Sequence, residues 1–173
     1  VARAQLAANL ALRARLEAEE QGLALVTPDA LTIPSGVREM LGPDDLAGSL
    51  AGQARIQAAR AAVLINTRER LTERGHELRH AASGTERLVA SQEDQLAYLV
   101  EQSQLMDMLD DKGLTTKEQL LSHRMDIARV QGDLATSRAT LAGNANEQRE
   151  AELEILQAEK EFHEDIVTEL RET

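Results

Sequence analysis

Apolar residues recur every seven positions along much of the chain, with polar and charged residues between them. In the stretch that ends near residue 112, the repeated apolar positions are Leu64, Leu71 and Leu78, continued after a phase shift by Leu88, Leu96, Leu99, Met106 and Leu109. In the stretch that begins near residue 116, they are Leu120, Ile127, Leu134, Leu141, Ile155 and Phe162. A seven-residue apolar repeat is typical of helices that pair in a coiled coil. The pattern therefore predicts two long helices, each with one narrow apolar seam.

The companion positions of the second seam are less apolar than the seam itself. Val130 is apolar, whereas Ser137, Asn144 and Asp165 are polar. Glycine costs about 1 kcal/mol in a helix interior, and glycines interrupt both helices at Gly75, Gly84, Gly132 and Gly143. The sequence predicts a polar, weakly packed middle section, with glycines tolerated on the surface as an equal alternative.

Proline and glycine set the expected boundaries in the first part of the chain. Residues 1–21 are Ala-rich and are interpreted as the end of a first helix. Residues 22–42 contain prolines and glycines and are interpreted as a connector with one short helical turn. The outgoing long helix is expected over 43–112, because Pro43 suits the first helical position and the chain contains no later proline.

A helical turn is expected directly after the outgoing helix. Gly113 suits the left-handed residue that ends a helix, and Thr115 with Glu118 has the spacing of a capping box. The hairpin tip is therefore expected at 113–115 and the returning helix over 116–173. The predicted fold is all-α: a long antiparallel coiled-coil hairpin preceded by a shorter helix and a Pro/Gly connector. The sequence leaves open whether the first helix runs on in line or folds back into a three-helix bundle.

Composition narrows the function classes. The net charge of −11 argues against nucleic acid and against an anionic membrane surface as partners, since both favour a basic face. The absence of cysteine excludes disulfides and thiol catalysis. No stretch approaches the roughly 20 apolar residues of a membrane span. Because the chain begins inside a helical pattern at Val1, we interpret it as one elongated helical domain of a longer protein, with any membrane anchor elsewhere.

One motif raises the question of catalysis. His76, Glu77 and His80 form HExxH, in which two histidines on one helix face bind zinc and the glutamate acts as general base. A catalytic zinc needs a third protein ligand, and His123 and His163 lie far along the other helix. Both histidines of the motif are expected on the flanks of the seam, facing solvent. We therefore expect no enzyme, cofactor or metal site, and keep a zinc metalloprotease as the alternative interpretation.

Apolar residues are concentrated around the predicted turn. Leu105, Met106, Met108, Leu109 and Leu114 exceed what is needed to close the end of a hairpin. Such an excess at an exposed end is a candidate docking surface, and simple packing of the hairpin end is the alternative. The candidate partner-binding residues are Leu105, Leu109, Lys112, Gly113, Leu114 and Thr116.

The same stretch carries a family resemblance. Residues 105–121 resemble the hairpin tip of the HlyD-like membrane fusion proteins, the periplasmic adaptors of bacterial type I secretion systems. Residues 16–22, Ile33 with Pro34, residues 53–60 and residues 167–172 resemble other parts of that helical domain in the same order. The resemblance therefore extends over nearly the whole chain.

The resemblance implies a structural conduit. Such adaptors link an inner-membrane ABC transporter to a TolC-like outer-membrane channel in the periplasm of Gram-negative bacteria, and they assemble as hexamers. Their tips follow an Arg-x-x-x-Leu-x-x-x-x-x-x-Ser pattern, whose positions fall here on Leu105, Leu109 and Thr116. Leu109 matches and Thr116 keeps the hydroxyl, whereas Leu105 departs from arginine. The implied function is protein secretion, and an adaptor of a multidrug efflux pump is the alternative.

Overall fold

The computed structural model describes residues 2–23, 35–41 and 43–173, and in these ranges all regular structure is helical. The helices are α1 (Ala2–Glu20), α2 (Ser35–Met40), α3 (Pro43–Asp111) and α4 (Lys117–Glu172). The predicted all-α fold, with a long helical hairpin preceded by a shorter helix, is confirmed. Most of the predicted connector, at 24–34 and 42, lies outside the described residues.

The end of α1 follows from a glycine. Gly22 has a φ of 66°, which costs glycine little because it has no Cβ. In this conformation the N–H of Gly22 donates to the Glu19 carbonyl at 3.1 Å, and the N–H of Leu23 donates to the Ala18 carbonyl at 2.8 Å. These bonds satisfy carbonyls that the helix itself leaves open, so α1 ends here.

The chain divides into two compact units, and the first comprises the described residues of Val1–Leu71 together with Leu153–Thr173. Its core is formed where Ala11 and Ala14 of α1 pack against Leu46 and Leu50 of α3. Helix α1 therefore folds back onto α3, which answers the question that the sequence leaves open. Because the buried face of α1 is largely alanine, the two helices can approach each other closely.

A buried arginine of α1 connects three helices of this first unit, α1, α3 and α4. Arg15 is only 3% exposed and lies among the buried alanines of α1. Its Nε donates to Gln53 of α3 at 2.8 Å, and its terminal nitrogens donate to Glu19 at 2.9 Å and to Glu169 of α4 at 2.7 Å. Arg60 of α3 donates to the second oxygen of Glu169 at 2.6 Å. A buried charge requires such partners, so this network fixes how α1 sits on α3 and α4.

The second unit, Thr72–Glu152, contains the tip and the adjoining parts of α3 and α4. Its α3 seam continues the heptad of Leu71 and Leu78 without a shift, through Thr85, Gln92, Leu99 and Met106, with Ala82, Val89, Leu96 and Ser103 beside them. The α4 seam consists of Leu120, His123, Ile127, Val130, Leu134, Ser137, Leu141, Asn144, Gln148 and Ala151. All of these residues are buried or half-buried, and several of them are polar.

Some apolar residues assigned to the seam from the sequence lie outside it. Leu88 and Leu109 are exposed, because Thr85 and Gln92 occupy the inward positions of that part of α3. In the first unit, Asp165 is exposed and Ile166 is fully buried, since the inward positions of α4 step by four residues after Phe162. The phase of the heptad, rather than hydrophobicity alone, decides which residues face the partner helix.

Candidate functional site

The turn of the hairpin is built on Gly113. With a φ of 67°, Gly113 donates its N–H to the Asp110 carbonyl at 2.8 Å, and Leu114 donates to the Leu109 carbonyl at 2.8 Å. This is the Schellman arrangement that ends a helix with glycine in the left-handed region. The backbone of Leu114 is thereby held against the last turn of α3.

The returning helix is capped one residue later than the sequence indicated. The N–H of Gln119 donates to Oγ1 of Thr116 at 3.3 Å, and the N–H of Thr116 donates to Oε1 of Gln119 at 3.1 Å. This reciprocal pair is a capping box, so the prediction of Thr115 with Glu118 is wrong by one position. Both spacings exist in the sequence, and the second is used because α4 begins at Lys117.

The predicted tip residues are all exposed. Leu105, Leu109 and Leu114 expose 53%, 42% and 70% of their surface, and Lys112, Gly113 and Thr116 are also exposed. Leu105 and Leu109 are one turn apart on α3, with Met108 beside them, so they share a face. We call Leu105, Met108, Leu109 and Leu114 the tip surface. Packing within the hairpin leaves much of this apolar area open to water.

The charged groups of the tip form only a weak internal interaction. Arg124 approaches Asp107 at 3.8 Å, with both side chains more than half exposed. Such surface pairs contribute on the order of 0–1 kcal/mol. The exposed side chains of the tip surface itself are those of leucine and methionine.

Two further apolar residues near the tip are exposed, although the heptad pattern does not predict them. Leu121 and Met125 lie one turn apart on α4 and expose 61% and 70% of their surface. Neither fits the apolar heptad of α4, and that mismatch is the signal that could have found them. His123, between them in sequence, is buried and lies with Nε2 at 2.8 Å from the Leu99 carbonyl. It therefore bridges the two helices inside the seam.

The HExxH residues lie on an open helix surface. His76, Glu77 and His80 are all exposed, and Nδ1 of His76 lies 3.5 Å from an Arg79 nitrogen. Across the described residues, no three His, Asp or Glu side chains converge where a metal ion could be held. A guanidinium next to the first histidine is also unfavourable for a cation.

No described helix of this chain is both long enough and apolar enough to cross a bilayer. Within 2–23, 35–41 and 43–173, both long helices carry exposed charged residues along their length.

Comparison with known proteins agrees with this architecture. The soluble domain of LipC, described as a membrane fusion protein of a type I secretion system, superposes with a TM-score of 0.85 at 21% identity, over 98% of this chain and 78% of that chain. At that identity the likeness shows the fold. A search of curated proteins finds none that matches. The sequence matches the profile described as AprE, long alpha-helical hairpin, over residues 1–173. This chain therefore belongs to the AprE long α-helical hairpin family of type I secretion membrane fusion proteins.

Proposed function

We propose that this chain is the helical part of a periplasmic adaptor that links an inner-membrane ABC transporter to a TolC-like outer-membrane channel for protein secretion. Membership of the AprE family and the likeness to LipC support the adaptor role. The energy for transport comes from the ABC partner, so the chain itself needs no catalytic group. The adaptor assembles as a hexamer in the periplasm of a Gram-negative bacterium.

The observation that carries the docking proposal is the exposed apolar tip surface. Leu105, Leu109 and Leu114 lie near the end of the hairpin and keep 53%, 42% and 70% of their surface exposed. Complete burial of a leucine side chain contributes about 1.5–3 kcal/mol, so covering these half-exposed residues gives docking a favourable free energy. The channel partner is expected to present an apolar surface to Leu105, where the family pattern has arginine.

The test is export of the native substrate by cells that carry Leu109→Glu in the full-length protein. A matched control is Val100→Glu, because Val100 lies on the same helix and is exposed to the same 42% as Leu109. We expect Leu109→Glu to stop export while the protein accumulates normally, since it places a charge in an apolar contact. Val100→Glu is expected to export like the wild type. Normal export by Leu109→Glu would show that the tip surface does not dock on the channel through Leu109.

A further inference from the structure

The sulfur atoms of this chain are concentrated near the hairpin tip. The chain has four methionines and contains neither cysteine nor tryptophan. Three of the methionines, Met106, Met108 and Met125, lie in the parts of α3 and α4 next to the turn, whereas Met40 lies in α2. Two-electron oxidants such as peroxides attack the sulfur of cysteine and methionine. In this chain their targets are therefore the methionines, and most of these lie in one region.

Two of the three methionines near the turn are open to water. Met108 exposes 54% of its surface and Met125 exposes 70%. Met106 is half-buried, because it occupies a seam position of α3. An oxidant in solution reaches an exposed sulfur more readily than one packed between two helices. Met108 and Met125 are therefore the accessible sulfur sites of the tip region.

Both exposed methionines lie at one level of the hairpin. Asp107 and Arg124, which directly precede them in the sequence, approach each other at 3.8 Å. Met108 is part of the tip surface, and Met125 lies one turn from the exposed Leu121. A change of polarity at either sulfur therefore changes the apolar surface at this end of the hairpin.

The packing of the hairpin does not require methionine at these two positions. The seam passes through Met106 in α3 and through Ile127 in α4, and neither Met108 nor Met125 belongs to it. Leucine forms helices as readily as methionine, so helix formation does not select methionine either. The two sulfur atoms are thus available for contact with a partner or for reaction with a solute.

Oxidation of methionine needs no protein group other than the sulfur. The thioether sulfur attacks one oxygen of hydrogen peroxide, an S–O bond forms and the O–O bond breaks. Sulfur loses two electrons to the peroxide, and the departing hydroxide takes the remaining hydroxyl proton, which gives methionine sulfoxide and water. The side chain changes from apolar and flexible to polar and chiral.

We propose that Met108 and Met125 are oxidation sites, at which conversion to methionine sulfoxide by a peroxide weakens docking of the tip and a methionine sulfoxide reductase restores it. A buried polar group is costly without a hydrogen-bond partner, and the apolar surface that the tip is expected to meet offers none to the sulfoxide oxygen. The inference rests on the proposed function in one respect, that the tip docks through an apolar contact.

The first measurement locates the oxidation. The purified full-length protein is treated with dilute hydrogen peroxide, and tandem mass spectrometry follows the fraction of sulfoxide at each methionine. We expect Met108 and Met125 to be oxidised several-fold faster than Met106. The two methionine sulfoxide reductases, one for each sulfoxide epimer, should return both sites to the unmodified mass when dithiothreitol supplies the electrons. Oxidation of Met106 as fast as that of Met108 would overturn the assignment.

The second measurement tests the consequence for export. Cells with the full-length adaptor receive a brief dose of hydrogen peroxide before synthesis of the secreted substrate is induced. Export is then divided by the export of the same strain without treatment. The combined Met108→Leu and Met125→Leu variant is expected to retain a several-fold larger fraction than the wild type, because leucine is apolar and carries no sulfur. Equal fractions in the two strains would overturn the proposal.

The matched control is Met40→Leu. Met40 exposes 57% of its surface, close to the 54% of Met108, but it belongs to α2 and not to the tip. We expect Met40 to be oxidised about as fast as Met108, whereas Met40→Leu should retain no more export after treatment than the wild type. Protection by Met40→Leu as strong as that by the double variant would overturn the role of the tip methionines.

Glutamine imitates the sulfoxide without any oxidant, because its side chain is polar, uncharged and of similar length. In untreated cells, Met108→Gln is expected to export several-fold less than Met108→Leu, at equal accumulation of the adaptor. Met40→Gln and Met40→Leu are expected to export alike. Equal export by Met108→Gln and Met108→Leu would show that polarity at this position does not affect docking, and it would overturn the proposal.

Failure here is distinguishable from failure of the docking proposal. Loss of export in Leu109→Glu, together with equal retained fractions in the wild type and the double leucine variant, would support the tip contact and overturn the oxidation proposal. Normal export by Leu109→Glu, together with a several-fold larger retained fraction in the double variant, would support methionine oxidation and exclude docking through Leu109.

Discussion

At the scale of single residues, two glycines of this chain have opposite effects on the stability of the fold. Gly113 adopts a φ of 67°, where a side chain is strained, and its backbone closes the turn of the hairpin. Gly75 is buried inside helix α3, yet a Cβ built on it meets nothing within 4 Å. The conformation at position 113 therefore requires glycine. At position 75 glycine is not required and only destabilises helix α3.

Alanine at these two positions should change stability in opposite directions. Gly75→Ala is expected to raise the free energy of unfolding by about 0.4–1 kcal/mol, because it reduces the freedom of the unfolded chain. Gly113→Ala is expected to lower it by about 1–2 kcal/mol through left-handed strain. Urea unfolding followed by circular dichroism measures both. A destabilised Gly75→Ala variant would mean that this part of the seam has no room for a methyl group.

Glu169 is the carboxylate on which the helix-connecting network converges. Partial burial raises the pKa of Glu169, but hydrogen bonds from Arg60 and Arg15 and the attraction of both guanidinium groups lower it, and the net pKa lies below the ordinary value of 4.5. Arg60 also lies 5.6 Å from the centre of the Phe162 ring, which holds its guanidinium in place. The ionised form of Glu169 is thus favoured by folding.

The lowered pKa of Glu169 predicts that the stability of the fold decreases as the pH falls. A carboxylate with a lower pKa in the folded state stabilises the fold above its unfolded pKa, and this contribution disappears as the pH falls through the folded pKa. Between about pH 7 and about pH 3, the melting temperature of the wild type should fall more than that of Glu169→Gln. The effect is modest because the side chain is 39% exposed.

A control for the acid experiment is Glu172→Gln, which removes an exposed carboxylate that makes no ion pair among the described residues. It should follow the wild type across the same pH range. Equal losses of melting temperature in the wild type and Glu169→Gln would show that the network does not depend on the charge of Glu169.

At the scale of elements, the start of α4 depends on one reciprocal pair of hydrogen bonds. Thr116 and Gln119 each accept a backbone N–H from the other. Thr116→Ala is expected to cost about 1 kcal/mol in unfolding free energy, because an N–H of the first turn loses its partner. Thr116→Ser keeps the hydroxyl and should unfold like the wild type. Equal destabilisation by both substitutions would assign the effect to the lost methyl group instead of the cap.

The heptad pattern predicted both long helices, but it placed some residues on the wrong face. Hydrophobicity alone selects Leu88 and Leu109, which are exposed, and it passes over Thr85 and Gln92, which face α4. The Oε1 of Gln92 is buried without a hydrogen-bond partner among the described residues. Where polar residues occupy the inward heptad positions, hydrophobicity does not show which positions face the partner helix. The register of this part of α3 therefore follows only from the structure.

At the scale of the whole molecule, the sequence predicted which residues form the tip but not where α1 packs. The exposed tip residues follow one another closely in the chain, so composition and turn chemistry were sufficient to predict them. The position of α1 depends on Arg15 and Glu169, which are 154 residues apart. The sequence of residues 1–21 alone does not identify Glu169 as the partner of Arg15. An arginine among alanines on one helix face does, however, indicate a buried ion pair.

The proposed adaptor function also predicts that the HExxH motif is not needed for export. Glu77→Gln combined with His80→Ala should leave both export and accumulation of the full-length protein unchanged, because both residues are exposed. Exported substrate in the medium, measured against the amount of adaptor in the cells, checks this directly. Catalysis by zinc would require a third ligand and an enclosed site. Loss of export with normal accumulation, together with stoichiometric zinc in the purified wild type, would therefore reverse the interpretation and assign the motif a role in secretion.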